Sequence, residues 1–291
     1  MNKIIGNLSK MMPDKLYLQL MYYKHLHKFI NFKNPQTFNE KLQWLKLYDK
    51  NPKYTQMVDK VEVKKYLADK LGEDYSIPTI EVWDDPKDIN IDTLPPRFVL
   101  KCNHDSKSVV ICKDKNSFDF EFAKKKLTKK FNKNGFWYGR EWPYKNVKPK
   151  IFAEKYMEDE SNDGVLIDYK FFCFNGVPKI MYISNDGSKE TRTDFFDMDF
   201  NHLDLRAKDL PSDKILEKPE CFEKMKEISK ILSKDIPFLR VDFYYINKKI
   251  YVGELTFFHN SGFCEIQPEE WDYKLGSYIK LPNKNKGNIN G

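Results

Sequence analysis

The sequence predicts an α+β protein, helices first and antiparallel sheets after, and three observations carry that prediction. Segments with helical spacing dominate the first third of the chain. Alternating, β-branched and aromatic stretches then come in hairpin pairs, one of them closed by Asn175-Gly176, the strongest short hairpin signal a sequence offers. No internal repeat is present, and strands do not alternate with helices as they would in a parallel sheet.

In chain order, LYLQLMYYKHLHKFI reads as a helix packed on the body of the protein rather than laid on a membrane, with His25 and His27 as ordinary surface or core histidines. TFNEKLQWLKLYD opens on the capping box Thr37–Glu40 and carries Phe38, Leu42 and Leu45 at helical spacing. A further helix runs between Asp59 and Glu73, with Gly72 as its stop. After the turn-rich DDPKDINIDTLPP come the strands RFVLKCN and VVICKD, then a basic helix from Phe118 to Asn134. KPKIFAEKYMED starts as a strand. LIDYKFFCF and VPKIMYIS flank the Asn-Gly turn, with Pro178 expected at an edge or unpaired position. The helix CFEKMKEISKILSKD precedes a last hairpin, LRVDFYYINKKIYVGELTF, and NKNKGNING is a polar tail.

That last hairpin places Arg240, Asp242 and Glu254 inside strands, where charge is costly unless paired or bound. Arg240 and Asp242 share a face, as do Glu254 and Thr256. A three-residue loop, Asn247 to Lys249, would pair Ile246 with Ile250 and set Asp242 opposite Glu254 and Arg240 opposite Thr256. Carboxylates so opposed, with Cβ atoms about 5 Å apart, can share one cation. A two-residue loop would put them on different faces. The plainer alternative is a wet face on which Arg240 neutralises both acids.

Composition bounds the function. The chain has 291 residues, 41% hydrophobic, with no apolar run of membrane-spanning length and no signal-peptide pattern, so a cytoplasmic protein is expected. Five scattered cysteines without a CxxC argue against a disulfide frame or a zinc site. The net charge of +7 is spread among acids rather than gathered in a tract, which suits an anionic small ligand and gives no sign of nucleic acid.

Lys101 in a strand, Glu154 at a strand end before Lys155, Tyr156 and Met157, Lys170 inside the Asn-Gly hairpin, and then Arg-x-Asp and Glu-x-Thr form an ordered set. Two lysines for phosphates, a strand edge for a base and two carboxylates for magnesium would make a nucleoside triphosphate site. In this order the chain resembles the ATP-grasp superfamily, and within it the TupA-like branch associated with teichuronopeptide and other surface-polysaccharide biosynthesis. NPQTFNEKLQWLKLYD with Asp59-Lys60, then FVLKCNH, IFAEKYMED, DYKFFCFNG, LRVDFYY and VGELTF carry the likeness.

The resemblance implies an ATP-grasp fold: a helical region over 1–94, a first subdomain over 95–155, a second with the metal site over 156–282, and a disordered tail over 283–291. It implies ATP and Mg²⁺, with Lys101 and Lys170 on phosphates and Glu154, Tyr156 and Met157 at the hinge strand beside adenine, where backbone groups read the base. Glu158 or Asp159 would take the ribose. Asp242 and Glu254 would bind magnesium, with Thr256 or Asn260 as third ligand, and Arg240 would face the transferred phosphoryl group. Lys170 and Arg240 are thus the catalytic cations. The loop His104 to Ser108 departs from the glycine-rich cover of many relatives, though Ser106, Lys107 and Ser108 can still bind phosphate. The implied reaction joins a carboxylate, such as a surface-glycan uronic acid or its precursor, to an amine through an acyl phosphate, and allows peripheral contact with membrane-bound glycan intermediates. Two other functions compete: a glycosyltransferase using the DxD of Asp197 and Asp199, and a non-catalytic nucleotide- or glycan-binding relative.

Overall fold

The computed structural model describes residues 10–283 except 106–107, 163, 186–190 and 213–215. Its helices are α1 (Asp14–Leu26), α2 (Phe38–Tyr48), α3 (Lys53–Val58), α4 (Glu62–Leu71), α5 (Phe120–Phe131), α6 (Phe136–Gly139), α7 (Phe222–Leu232) and α8 (Glu270–Tyr278). The capping box at the start of α2 is present in both directions, the Glu40 N–H donating to Thr37 Oγ1 and the Thr37 N–H to Glu40 Oε2.

Two antiparallel sheets follow. The first comprises β1 (Thr79–Trp83), β2 (Phe98–Cys102), β3 (Val110–Cys112) and β4 (Ile151–Lys155), in the order β1-β4-β2-β3. The edge strand β1 comes from inside residues 1–94, where the sequence suggests only helices. Its five residues, TIEVW, partly exposed but for buried Trp83, form too short a run to stand out. Phe98, Leu100, Ile151 and Ala153 turn one face of this sheet into a small core under Leu127 of α5. By the period of two, Val99, Lys101, Phe152 and Glu154 form the opposite face.

The second sheet comprises β5 (Asp168–Phe174), β6 (Val177–Asn185), β7 (Arg192–Asp197), β8 (Phe238–Ile246) and β9 (Lys249–Thr256), in the order β7-β6-β5-β8-β9. Asn175 and Gly176, with φ of 49° and 82°, close the β5–β6 hairpin as a two-residue turn. Pro178 lies on β6 beyond the end of its pairing with β7, so its missing N–H costs no bond on that side. One face packs on α7, with the Phe171 and Phe222 rings 5.6 Å apart. On the other, Phe172, Phe174 and Phe238 are covered by Phe38 of α2. Only the polar end of that face, from Asp168 and Lys170 across to Glu254, is left for other work.

The β8–β9 hairpin corrects one expectation and keeps another. Asp242 does pair with Glu254, and Arg240 with Thr256. The loop, however, has two residues, Asn247 and Lys248, and Ile246 pairs with Lys249. Both loop residues are left-handed, with φ of 48° and 63°, the mirror-image turn that matches strand twist. Such a turn alone would send the two acids to opposite faces. A β-bulge between Asp242 and Phe243 restores the alignment, because Gly253 is an extra residue on β9. A Cβ at Gly253 would come within 2.6 Å of Cε2 of Tyr244, so the bulge has room only for glycine while that ring stays in place.

Gly253→Val is therefore expected to lower stability by about 1–3 kcal/mol through overpacking, as measured by thermal or urea denaturation. Tyr244→Ala in the same chain should recover part of the loss. An unchanged melting temperature in the single variant would show that the bulge does not depend on this close approach.

Candidate functional site

The two polar faces confront each other across a cleft of about 150 Å³. From the first sheet come Lys101, Phe152 and Glu154, and from the second Asp168, Lys170, Asp242, Tyr244 and Glu254. Lys60 and Lys64 close the third side, together with Val63 and Leu67 of α4.

Within the second sheet, register brings the charges together. Lys170 pairs with Asp242 and Asp242 with Glu254, so one row crosses β5, β8 and β9. The Lys170 ammonium sits 3.0 Å from Asp242 and 3.0 Å from Asp168. Arg240 grips Asp242 through two N–H groups at 2.6 Å, donates another to Thr256 Oγ1 at 3.1 Å, and a fourth to His259 Nδ1 at 3.0 Å. His259 is buried against the Phe172 ring. Burial, then the neighbouring Arg240 charge, holds its pKa well below the ordinary histidine value, so the ring is neutral and can accept.

Across the cleft, Glu154 Oε1 accepts from Lys64 and Oε2 from Lys101, each at 2.6 Å. Lys64 also donates to the Ile77 carbonyl and to Thr79 Oγ1. Lys60 reaches Glu254 at 2.9 Å. Its position is set by the preceding residue. Asp59 Oδ1 accepts the Val61 and Glu62 N–H groups at the start of α4, and Oδ2 accepts from buried Asn103, whose carbonyl in turn takes the Lys60 N–H. Asn103 follows directly on β2, so the lysine-bearing turn and the Lys101 strand are tied at one point.

Three of the cleft carboxylates, Asp242, Glu154 and Glu254, are held below their ordinary values, whereas burial raises Asp168. Burial pushes Asp242 upward, but Arg240 and Lys170 outweigh it and keep the group below its ordinary value. The same contest leaves Glu154 lowered by Lys101 and Lys64, and Glu254 lowered by Lys60 and Arg240 against the repulsion of Asp242. Lys170 is raised despite its burial, by Asp242 and Asp168.

Several expected positions shift. Glu154 faces the cleft with its carboxylate rather than its backbone. β4 is an inner strand, laddered to β1 at Thr79 and to β2 at Val99, which leaves no Glu154 backbone edge for a base. Tyr156, Met157 and Asp159 follow the strand end and do not line the cleft. Tyr156 lies against Arg97, which also pairs with Glu158. Ser108 is buried in its own loop, its hydroxyl accepting from the Cys102 N–H and donating to Asp105. Ser106 and Lys107 lie outside the described residues. Asn260 has a left-handed backbone and contacts His259 rather than the carboxylates. The DxD serves a turn at the end of β7, where Asp197 accepts from the N–H groups of Asp199 and Asn201 and from the Asn201 amide.

Lys60, Lys64, Asp168 and His259 complete the site without a role assigned from the sequence, although Asp59-Lys60 is among the stretches that carry the family likeness. Asp168 was within reach of sequence reasoning, being two residues before Lys170 and therefore on the same strand face.

Apolar walls with lysines at the polar end suit a nucleotide, and the residues present fit both ATP and magnesium. Magnesium takes one or two protein carboxylates plus phosphate oxygens and water. Asp242 and Glu254 face each other on one strand pair, and no group of three His, Cys, Asp or Glu side chains that could hold a metal unaided occurs among the described residues.

A charged cleft between two antiparallel sheets, with cations from both and paired carboxylates on the last hairpin, defines an ATP-grasp protein. The family described as TupA-like ATPgrasp matches residues 40–280, and the chain belongs to that family. No curated protein sequence matches it. Among solved structures, it is similar to D-alanine–D-alanine ligase from Helicobacter pylori, at 14% identity and a TM-score of 0.45, over 84% of this chain and 69% of that one. The ATP complex of the Bacillus anthracis D-alanine–D-alanine ligase matches at 17% identity and 0.43, over 69% and 54%. N5-carboxyaminoimidazole synthase from Aspergillus clavatus matches at 12% and 0.39, over 72% and 46%. The chain thus spans about half the length of two of these three proteins.

The lowered carboxylates give stability a definite dependence on pH. Asp242, Glu154 and Glu254 bind protons less readily folded than unfolded, so unfolding takes up protons as the pH falls. Their contribution is complete above about pH 5, where the unfolded groups are ionised, and is lost as the pH drops through the lowered folded values. Asp242→Asn should be less stable than the parent at neutral pH and should decline less steeply below about pH 5. Melting temperatures across that range measure this, and parallel curves for the two proteins would count against it.

Proposed function

We propose that the protein is an ATP-dependent ligase that joins a carboxylate to an amine by way of an acyl phosphate. The observation that carries this reading is the Lys170–Asp242–Glu254 row, set on one sheet face opposite Lys101, Lys64 and Glu154. Every one of these lysines is held by a carboxylate, so a triphosphate can enter by exchange of like for like. The lysines keep an anionic partner, and Asp242 and Glu254, freed of their lysines, can share a cation while Asp242 keeps its bonds to Arg240.

Magnesium, held by Asp242 and Glu254, would offset charge on the phosphate oxygens as the phosphoryl group transfers. Lys101 from the first sheet and Lys60 from the third side would hold phosphate, and Lys170 sits between the two aspartates that keep it charged. Arg240 is locked by Asp242, Thr256 and neutral His259, which presents a fixed cation beside the row without reorganisation during reaction. Val63, Leu67, Ile77 and Val252 supply an apolar seat for the base. No side-chain nucleophile is needed, because the substrate carboxylate attacks the phosphoryl group and the amine then displaces phosphate.

The family's association with teichuronopeptide biosynthesis supports a uronic acid of a surface polysaccharide, or its precursor, as the carboxylate, with an amino acid or small amine as its partner. Action in the cytoplasm suits ATP use, and no helix among the described residues is long and apolar enough to cross a membrane.

Magnesium-ATP should raise the melting temperature of the parent protein, by about 2.7 kcal/mol of stability at a hundredfold excess over Kd. Lys101→Ala should weaken nucleotide binding by about 1.5–3 kcal/mol, and Glu254→Gln should remove most of the magnesium-dependent rise together with turnover. Calorimetry showing tight binding of a UDP-sugar and none of adenine nucleotides would overturn the reading in favour of a glycosyltransferase.

A further inference from the structure

Helix α1 has two apolar faces where a surface helix ordinarily has one. Tyr17, Leu18 and Tyr22 are buried and form a small core with Ile30 and Phe32. On the outward side, Leu16, Leu20 and Tyr23 are about half exposed. They follow one another at i, i+4 and i+7, so they form a single stripe facing away from the protein. Phe29, 68% exposed, stacks on Tyr23 at 4.9 Å and extends the stripe past the end of the helix. Beside it lies a shallow groove of about 530 Å³ between Leu16, Gln19, Ile30 and Phe32.

The segment that carries the stripe is predominantly basic, with the exposed Glu269 beside Lys28 the acid brought to it from elsewhere. Residues 10–34 carry Lys10, Lys15, Lys24, Lys28 and Lys33 and a single acid, Asp14. Asp14 faces inward to Arg140, 2.8 Å away. Only Lys28 has a carboxylate partner among the described residues, Glu269.

We infer that this face of α1 docks on an anionic lipid bilayer, with Leu16, Leu20, Tyr23 and Phe29 entering the interface and the lysines meeting headgroup phosphates. An amphipathic helix with lysines rimming leucine and aromatic residues is the pattern that binds in this way. A second copy of the chain is a poorer occupant. A two-fold contact sets the same patch against itself, and here that would bring lysines against lysines. The inference does not depend on the ligase reading, because the face is remote in sequence from every residue of the cleft.

Flotation of the full chain with vesicles tests it. The protein should bind vesicles containing phosphatidylglycerol and leave those of phosphatidylcholine alone, and added salt should weaken the binding. The exposed double variant Leu20→Ser, Phe29→Ser should bind on the order of tenfold less or weaker still. Lys15→Glu with Lys24→Glu should abolish the preference for anionic lipid. All variants should melt like the parent. Absence of binding, equal binding to neutral vesicles, or a concentration-dependent dimer that Leu20→Ser dissociates would each overturn the proposal.

Discussion

Lys60 lies in the turn just before α4 and Lys64 in its first turn, and each holds a different sheet. Lys60 reaches Glu254 on the last strand of the second sheet, while Lys64 reaches Glu154 on an inner strand of the first. The Asp59–Asn103 bonds fix where the turn carrying Lys60 points. Two ion pairs therefore tie this short segment to both sheets across the gap, beside the apolar contacts of Val63 and Leu67. Ion pairs of this kind add little net stability, because desolvation offsets the attraction, yet losing one partner costs several kcal/mol. What they supply is position. An apolar wall in their place would be at least as stable and could not accept an anion.

The polar end of the second sheet is affordable because its other end is so well packed. Phe172 stacks on Phe38 and Phe174 and Phe238 meet it edge-on, all on the cleft-side face, and Phe171 meets Phe222 on the reverse. Five charged residues in neighbouring strands, Asp168, Lys170, Arg240, Asp242 and Glu254, are thus carried by a sheet clamped on both faces a few residues further along. His259 belongs to both regions, with its ring against Phe172 and its nitrogen on Arg240.

Much of this was legible in the sequence, and the remainder failed for identifiable reasons. Alternation and the Asn-Gly turn announced the second sheet, and the capping box announced α2. The facing of Asp242 and Glu254 was anticipated by an incorrect route, since the actual turn is even and Gly253 supplies the missing residue. Turn length and bulge are separate local choices, and a glycine in a strand hints at a bulge without locating its partner. Glu154 was misassigned because its neighbours on either side come from β1 and β2, a pairing that local pattern does not reveal. Lys64 looks like any other lysine of a charged helix. Only the tertiary fold distinguishes it from Lys65 and Lys70 on the same helix.

The bulge at Gly253 makes the hairpin a parity device. Face assignment along β9 depends on the combined count of residues in the turn and in the bulge, odd or even, and not on either alone. A lineage could lengthen the Asn247-Lys248 turn by one residue only while losing the extra residue at Gly253, or by two while keeping it. Any single insertion left uncompensated would carry Glu254 and Thr256 together to the apolar face against α7, with Leu255 turned into the cleft. The hairpin can therefore drift in length, but only along paths that conserve a sum modulo two.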